Sequence, residues 1–493
     1  MLGGVFMTDT DGNIGAEVSN NTEKICGLLF DISGQSNFWT TGYPATVANV
    51  LKDTVVEFNT MQDAIDAGII PYDALTDSTS NFLHGIPYYH IRHFFEAAGG
   101  SGRLFVMFAD CSLNFNAIID MQKAAHGVIN QIGVWTEKSL WTHIDPSAAS
   151  YAVQLVGDLN TIATTLANDY YAPVSILLNA NSAKVQGATT ITYAYDAVSD
   201  PSGSPKEQGW YKSDGNGGYV EATETTVDGE TTYYTRSVAR TTTAYESTVD
   251  LTKIPTCIID KRYVSVLLGQ GVDSDVQLMQ GALASVTPVG NIGAALGLLS
   301  VASVAESIGW VEQFDVVSLF PDIQLGFGDA TIASSKITNG TSFDSLSKAQ
   351  IDTLDDKGYI FLCRYPAYEG HVFFSSDQTC SNGDYRRIAL NRAINKSRRG
   401  VRTALLKYVN SPIKVDPATG QLSALQIAIF KNAVNEPLEL MANANEISGI
   451  GSINIPANQN ILKNDRLNLS YFLVPIGLAK EIKVEEGFVL KQQ

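Results

Sequence analysis

The stretch RLFVMFAD, residues 103–110, places six apolar residues in succession and closes them with an acid. A run of that kind reads as a strand covered on both faces, because a strand with one wet face would alternate apolar and polar residues. Its surroundings repeat the theme. AIIDMQKAAHGVI (117–129) has helical spacing, QIGVW (131–135) is strand-like, and residues 150–168 read as a helix. PVSILLNA (173–180) and YVSVLLG (263–269) are further buried-strand patterns. Strand and helix alternating in this way predict an α/β layer with a mostly parallel sheet over 25–330.

Upstream, residues 1–24 are rich in Gly, Thr, Asp and Asn and read as an extended arm. Between the last two strands lies an intruder, 186–250, that contains GWYKSDGNGGYVEATETTVDGETTYYTRS. Its Thr and Tyr alternation and two Gly-rich turn signals predict an inserted β-hairpin module, carried on the outside where insertions are tolerated. A helical, Gly-containing segment comes next, at about 288–307. A polar linker at roughly 330–345 then leads to a last domain, 345–478, whose order reads strand, strand, long helix (384–409), second helix (421–442) and strands to the end.

The chain ends LAKEIKVEEGFVLKQQ (478–493), in which Ile482, Val484, Phe488 and Leu490 recur at every second position around a Glu-Glu-Gly break. That period belongs to a strand, but no Asn-Gly or Asp-Gly corner ties it to an earlier one. It reads as a terminal strand, 479–493, in need of a partner.

Composition narrows the function. With 493 residues, 45% hydrophobic and 17% charged, the chain can build two to four packed domains. The net charge of −18 argues against nucleic acid as a partner. Residues 361–493 hold 16 Lys/Arg against 11 Asp/Glu, and residues 1–360 hold 17 against 40, so the acidity belongs to the larger part. Cys26, Cys111, Cys257, Cys363 and Cys380 are scattered and never paired as CxxC, which fits reduced thiols in a chain folded in a cytoplasm. No basic segment followed by an apolar one marks a signal peptide at the start, and the apolar run from Ile292 stops at Glu306, short of a membrane span, so no direct membrane insertion is expected.

Chemical motifs are few. GxxxxGK[ST], HExxH and GxSxG are all missing. HIRHFFE (90–96) spaces His90, His93 and Glu96 for a metal on one helix face, against the plainer reading of a helix that buries Phe94 and Phe95. PVGNIGAALG offers Gly290, Gly293 and Gly297, but not in GxGxxG spacing, and close helix packing explains small residues there more simply. We therefore expect no catalytic, cofactor or metal residues. The helix DYRRIALNRAINKSRRGVRTALLKYV gathers Leu390, Ile394, Val401, Leu405 and Tyr408 on one face and Arg392, Lys396, Arg399 and Lys407 on the other. That basic stripe is expected to face a partner or to be neutralised by the chain's own acids.

LSKAQIDTLDDKGYIFLCRY, the long helix with NSPIKVD, PLELMANANEISGIGSINIPANQN and the closing YFLVPIGLAKEIKVEEGF occur in the order found in contractile tail sheath proteins. Over roughly 345–490 the chain resembles that family, and its middle region is similar to a sheath subfamily of Bacteroidetes-type phages. The resemblance implies an α+β sheath domain behind the α/β domain, with arms at both termini that complete sheets in neighbouring copies. It also implies a non-enzymatic subunit of stacked, hexameric rings around an inner tail tube, contracting to drive the tube through a cell envelope. Neighbouring copies, the tube protein, and baseplate and terminator proteins would be its partners. Its location would be a virion tail or an assembled injection particle. The basic stripe would face the tube or the adjoining subunit. The alternatives are another phage structural protein, such as a tube or decoration protein, and a metal-dependent α/β enzyme using His90 and His93.

Overall fold

The computed structural model describes residues 22–33, 51–71, 85–136, 138, 140, 142–145, 150–152, 154–180, 186–198, 210–213, 219–222, 233–245, 255–268, 270–271, 290–321, 323–324, 332–333, 336–337, 343–366, 368–459 and 461–486. Most of residues 1–24, together with Phe488 and Leu490, lie outside them.

An eight-stranded sheet organises the larger part. Its strands are β1 (Ile25–Asp31), β2 (Val56–Phe58), β3 (Arg103–Ala109), β4 (Gln131–Trp135), β5 (Ser175–Ala180), β10 (Val264–Leu268), β11 (Tyr359–Cys363) and β12 (Phe373–Phe374). They lie in the order β12-β11-β10-β5-β4-β1-β3-β2. The six inner strands pair in parallel, and β2 and β12 close the two edges antiparallel. The apolar runs are strands because helices cover both faces: β1, β4, β10 and β11 are buried at every position. β1, third from the β2 edge, is a strand that the sequence pattern did not single out. Gly27 at its middle is needed for packing, since a Cβ there would come within 2.9 Å of the Met121 sulfur.

Two strands change allegiance. β11 and β12 fall inside 345–478, which the sequence assigns to the last domain, yet they are hydrogen-bonded into this sheet beside β10. The unit that stands apart begins only at Ile388. The insertion is also larger than one hairpin: β6 (Gln186–Val198), β7 (Trp210–Ser213), β8 (Tyr219–Ala222) and β9 (Tyr233–Tyr245) form a separate four-stranded antiparallel sheet in the order β8-β7-β9-β6.

Among the helices, α1 (Met61–Asp66) and α3 (Ala117–Ala124) flank the β1–β4 half, and α4 (Gln154–Asn168) precedes β5. Two others, α2 (Ile86–Ala97) and α5 (Ile292–Val301), pack directly on each other. From Ile292 to Ser300 every residue of α5 is buried, as expected of a helix apolar all round. Gly293 and Gly297 let it touch the backbone of α2, since Cβ atoms would fall 2.1 Å from the His90 carbonyl oxygen and 2.4 Å from that of Phe94. On its other side, Gly133 of β4 makes room for Leu296 and Ile292. These glycines serve helix packing. α6 (Lys348–Asp356), capped by Ser347 and Gln350, leads into β11.

Candidate assembly surface

Open α/β sheets usually bind ligands beyond the carboxyl ends of their strands, and at the end of β1 the chain fills that place itself. Asp31, at the end of β1, accepts hydrogen bonds from Thr136 Oγ1 (2.7 Å) and from the backbone N–H of Cys111 (3.1 Å) and Ser33 (3.0 Å). His90 and His93 are both fully buried. His90 Nδ1 accepts from the Gly293 N–H at 3.3 Å, and His93 packs edge-on to Phe320. Glu96 points elsewhere, toward Arg92. The motif is a packing helix, and its three side chains do not converge.

The C-terminal lobe is arranged differently. It comprises α7 (Ile388–Leu406), α8 (Ala424–Asn443), β13 (Gly449–Asn454), β14 (Ser470–Val474) and the tail to Glu486. α7 starts against Asp377, a fully buried carboxylate that accepts from the Ala389 N–H at 3.2 Å and pairs with Arg387 at 2.8 Å. An acid at that end satisfies an orphan amide and complements the helix dipole. α8 begins at Ser423, whose side chain accepts from the Gln426 N–H. The two helices come close where Gly400 meets Pro437.

The basic stripe is corrected by this packing. Arg392 is 1% exposed and donates to the carbonyl oxygens of Ser303 (3.0 Å), Leu299 (3.1 Å) and Ala302 (3.1 Å). Those of Leu299 and Ala302 are orphan carbonyls at the end of α5, so a guanidinium closes that helix and meets the negative end of its dipole. Burial lowers the Arg392 pKa from its usual value, opposed by Glu23, Cys26, Glu446 and Glu306. Lys396 is buried with Glu446 at 2.5 Å. Arg399 pairs with Glu23 and donates to the Pro173 carbonyl at 3.1 Å. Arg398 donates to Asn168, and the Arg402 guanidinium lies 3.5 Å from the centre of the Tyr171 ring. Of Arg392, Lys396, Arg399 and Lys407, only Lys407 is exposed. The helix turns most of its cations inward and binds the lobe to the sheet domain. Lys396 and Arg399 thus meet the chain's own acids, the second of the two expectations for the stripe. Helical periodicity missed the inward turn because a cationic face and a buried face look like opposites until the acceptors are known.

Beyond α7 and α8 the lobe carries an unfinished sheet. β13 and β14 pair antiparallel, with a bulge at Gly451, and form a sheet of two strands among the described residues. Ile450, Ile453, Tyr471 and Leu473 pack on Val401, Val434, Leu438 and Met441. The opposite face shows Phe472 at 63% and Val474 at 48% exposure. A two-stranded sheet is marginal by itself and offers a row of unpaired backbone groups along each edge. The tail beyond it has no strand partner among the described residues. Ile482 and Val484 are about four-fifths exposed, and a Lys480–Asp355 ion pair ties the tail to the sheet domain.

Comparison with known proteins matches this outline. Residues 235–378 match the DUF2586 N-terminal domain and residues 384–493 the DUF2586 C-terminal domain. The break between the two falls just before α7, where the lobe departs from the sheet. Among solved structures, the helical sheath of the anti-feeding prophage in its contracted state is similar over 98% of this chain and 100% of that one, with 11% identity and a TM-score of 0.50. The chain has the fold of contractile tail sheath proteins. The contracted sheath of PVC, an extracellular contractile injection system, is similar over 99% of this chain and 98% of that one, at 10% identity and a TM-score of 0.49. No curated protein sequence matches the chain. No helix among the described residues is long and apolar enough to cross a membrane.

Proposed function

We propose that this sheath-fold protein is a structural subunit of a contractile tail or injection particle. Copies polymerise as stacked, hexameric rings around an inner tube, dock on baseplate and terminator proteins, and contract to drive the tube through a cell envelope. The observation that carries this reading is the unfinished β13–β14 sheet beside a tail that has strand period and no strand partner among the described residues of its own chain. A strand donated by one copy to the edge in another satisfies both sets of backbone groups at once. Ile482 and Val484, together with Phe488 and Leu490, would then supply the apolar face of the donated strand. Contraction needs no bond chemistry on this view, since the energy lies in two packings of one subunit joined by terminal links. The inserted sheet of β6–β9 sits on the outer wall on this reading, so deletion of 186–250 should leave assembly intact.

Electron microscopy of the purified full chain, alone and with its tube protein, tests the reading. Hollow sleeves with sixfold end views are expected. A protein that stays monomeric under every condition, and whose behaviour is unchanged by removal of 479–493, would exclude it.

A further inference from the structure

With most of the α7 cations engaged inside the molecule, a group of exposed cations remains at one part of the lobe, its tip. Leu422, Phe430 and Ile455 form a small core there, packed by Tyr408, Ile413 and Leu467 among others. Around this core Lys407, Lys414, Lys431 and Arg466 are exposed, and none of the four has an ion pair with the described residues of its own chain. Lys407 does lie over the Tyr408 ring, 5.3 Å from its centre. Leu425 and Leu462, next to them, are 70% and 72% exposed. The neighbouring carboxylate of Asp416 accepts from the Ala418 and Thr419 N–H groups, which lower its pKa and turn it onto its own loop. Asp465 is exposed beside Arg466, and Glu436 and Glu439 are exposed further along the helix that carries Lys431. The tip thus presents two large apolar side chains inside a cationic rim.

We propose that the tip docks on the acidic sheet domain of a second copy of this chain. The partner is dictated by charge: residues 1–360 hold 17 Lys/Arg against 40 Asp/Glu, so every copy carries the complement of its neighbour's tip. The rim is far too exposed for the pairs to be strong singly, but the same contact repeats around an assembly and is screened over a Debye length of about 8–10 Å. Leu425 and Leu462 add apolar area that stands open to solvent in the single chain. This contact is separate from the β13–β14 edge, and it rests on the reading of the chain as a self-assembling subunit.

The test uses the full chain, mixed as natural-abundance and ¹⁵N-labelled protein, assembled and treated with a carbodiimide, which joins lysine amines to carboxylates without a spacer. Mixed-isotope peptides linking Lys407, Lys414 or Lys431 to acids within 1–360 are the expected result. The variant K407E/K414E/K431E/R466E should need at least about tenfold more protein to assemble at low salt, with unchanged melting. Sleeves that form with tip lysines linked only within one copy, or only to a co-assembled tube protein, overturn this contact and leave the sheath reading standing. An unchanged assembly threshold in the variant does the same. Wild-type protein that never assembles overturns both.

Discussion

The eight-stranded sheet and the two-stranded one are built from similar apolar residues and reach opposite states. In the first, helices lie on both faces, antiparallel strands close both edges, and the central positions are at or near zero exposure. In the second, one face is packed, the other shows Phe472 and Val474, and neither edge has a neighbour among the described residues. The difference teaches that the chain completes its folding core alone and leaves its assembly element incomplete. Insults to the large sheet should therefore appear as loss of folding, and insults to the small one as loss of assembly.

The largest effect is expected from Gly293→Val. Its Cβ would lie 2.1 Å from the His90 carbonyl oxygen, a backbone atom that cannot swing aside. Overpacking ordinarily costs about 1–3 kcal/mol, and a backbone clash between two buried helices exceeds that. Soluble expression and circular dichroism should show little folded protein; a native spectrum would break the comparison at its root.

Alkali gives a second route into the same domain. Burial pushes the thiols of Cys26, Cys111 and Cys363 up to about 12, and all three belong to the sheet domain, while residues 384–493 contain no cysteine. A pKa raised in the folded state contributes stability that is fully present below the unfolded value, near 9, and is lost as pH rises toward 12. Each thiol should remove about 1.4 kcal/mol per pH unit across that window. In a variant that keeps only Cys26, Cys111 and Cys363, thiolate absorbance should therefore appear only together with unfolding of the sheet domain. Thiolate formed in a protein with intact circular dichroism would count against it.

The junction between the two regions comes next. Arg392→Ala leaves the Leu299 and Ala302 carbonyls without a donor and should cost about 3–5 kcal/mol in thermal or urea melts. Lys396→Ala should cost a similar amount by stranding Glu446, whereas Lys396→Met with Glu446→Leu should be near neutral, because two matched apolar groups strand no charge. Equal costs for the single and double variants would show that packing, and not charge, holds the lobe.

The smallest effect on folding is expected from truncation after Leu478. Ile482 and Val484 are already exposed, so their loss should shift stability by less than about 0.5 kcal/mol, while sleeve formation is abolished. Were the tail an internal strand, each buried side chain removed would cost roughly 1.5–3 kcal/mol, and the product would melt early or aggregate. Calorimetry and light scattering on the truncated chain separate the two.

Sequence by itself determined the parallel layer. Buried strands announce themselves as unbroken apolar runs, so residues 103–110, 131–135, 173–180 and 263–269 could be read directly, and the glycines at 293 and 297 could be assigned to packing. The order of motifs in the last third likewise pointed to the sheath fold. Tertiary structure alone decided the rest. Residues 359–363 and 373–374 join the large sheet because strand pairing is non-local and carries no mark in the sequence around it. The cations of α7 turn inward because their acceptors, the carbonyls ending α5 with Glu23 and Glu446, come from segments far away in the chain. Helical periodicity reports which residues share a face, and only the fold decides what that face meets.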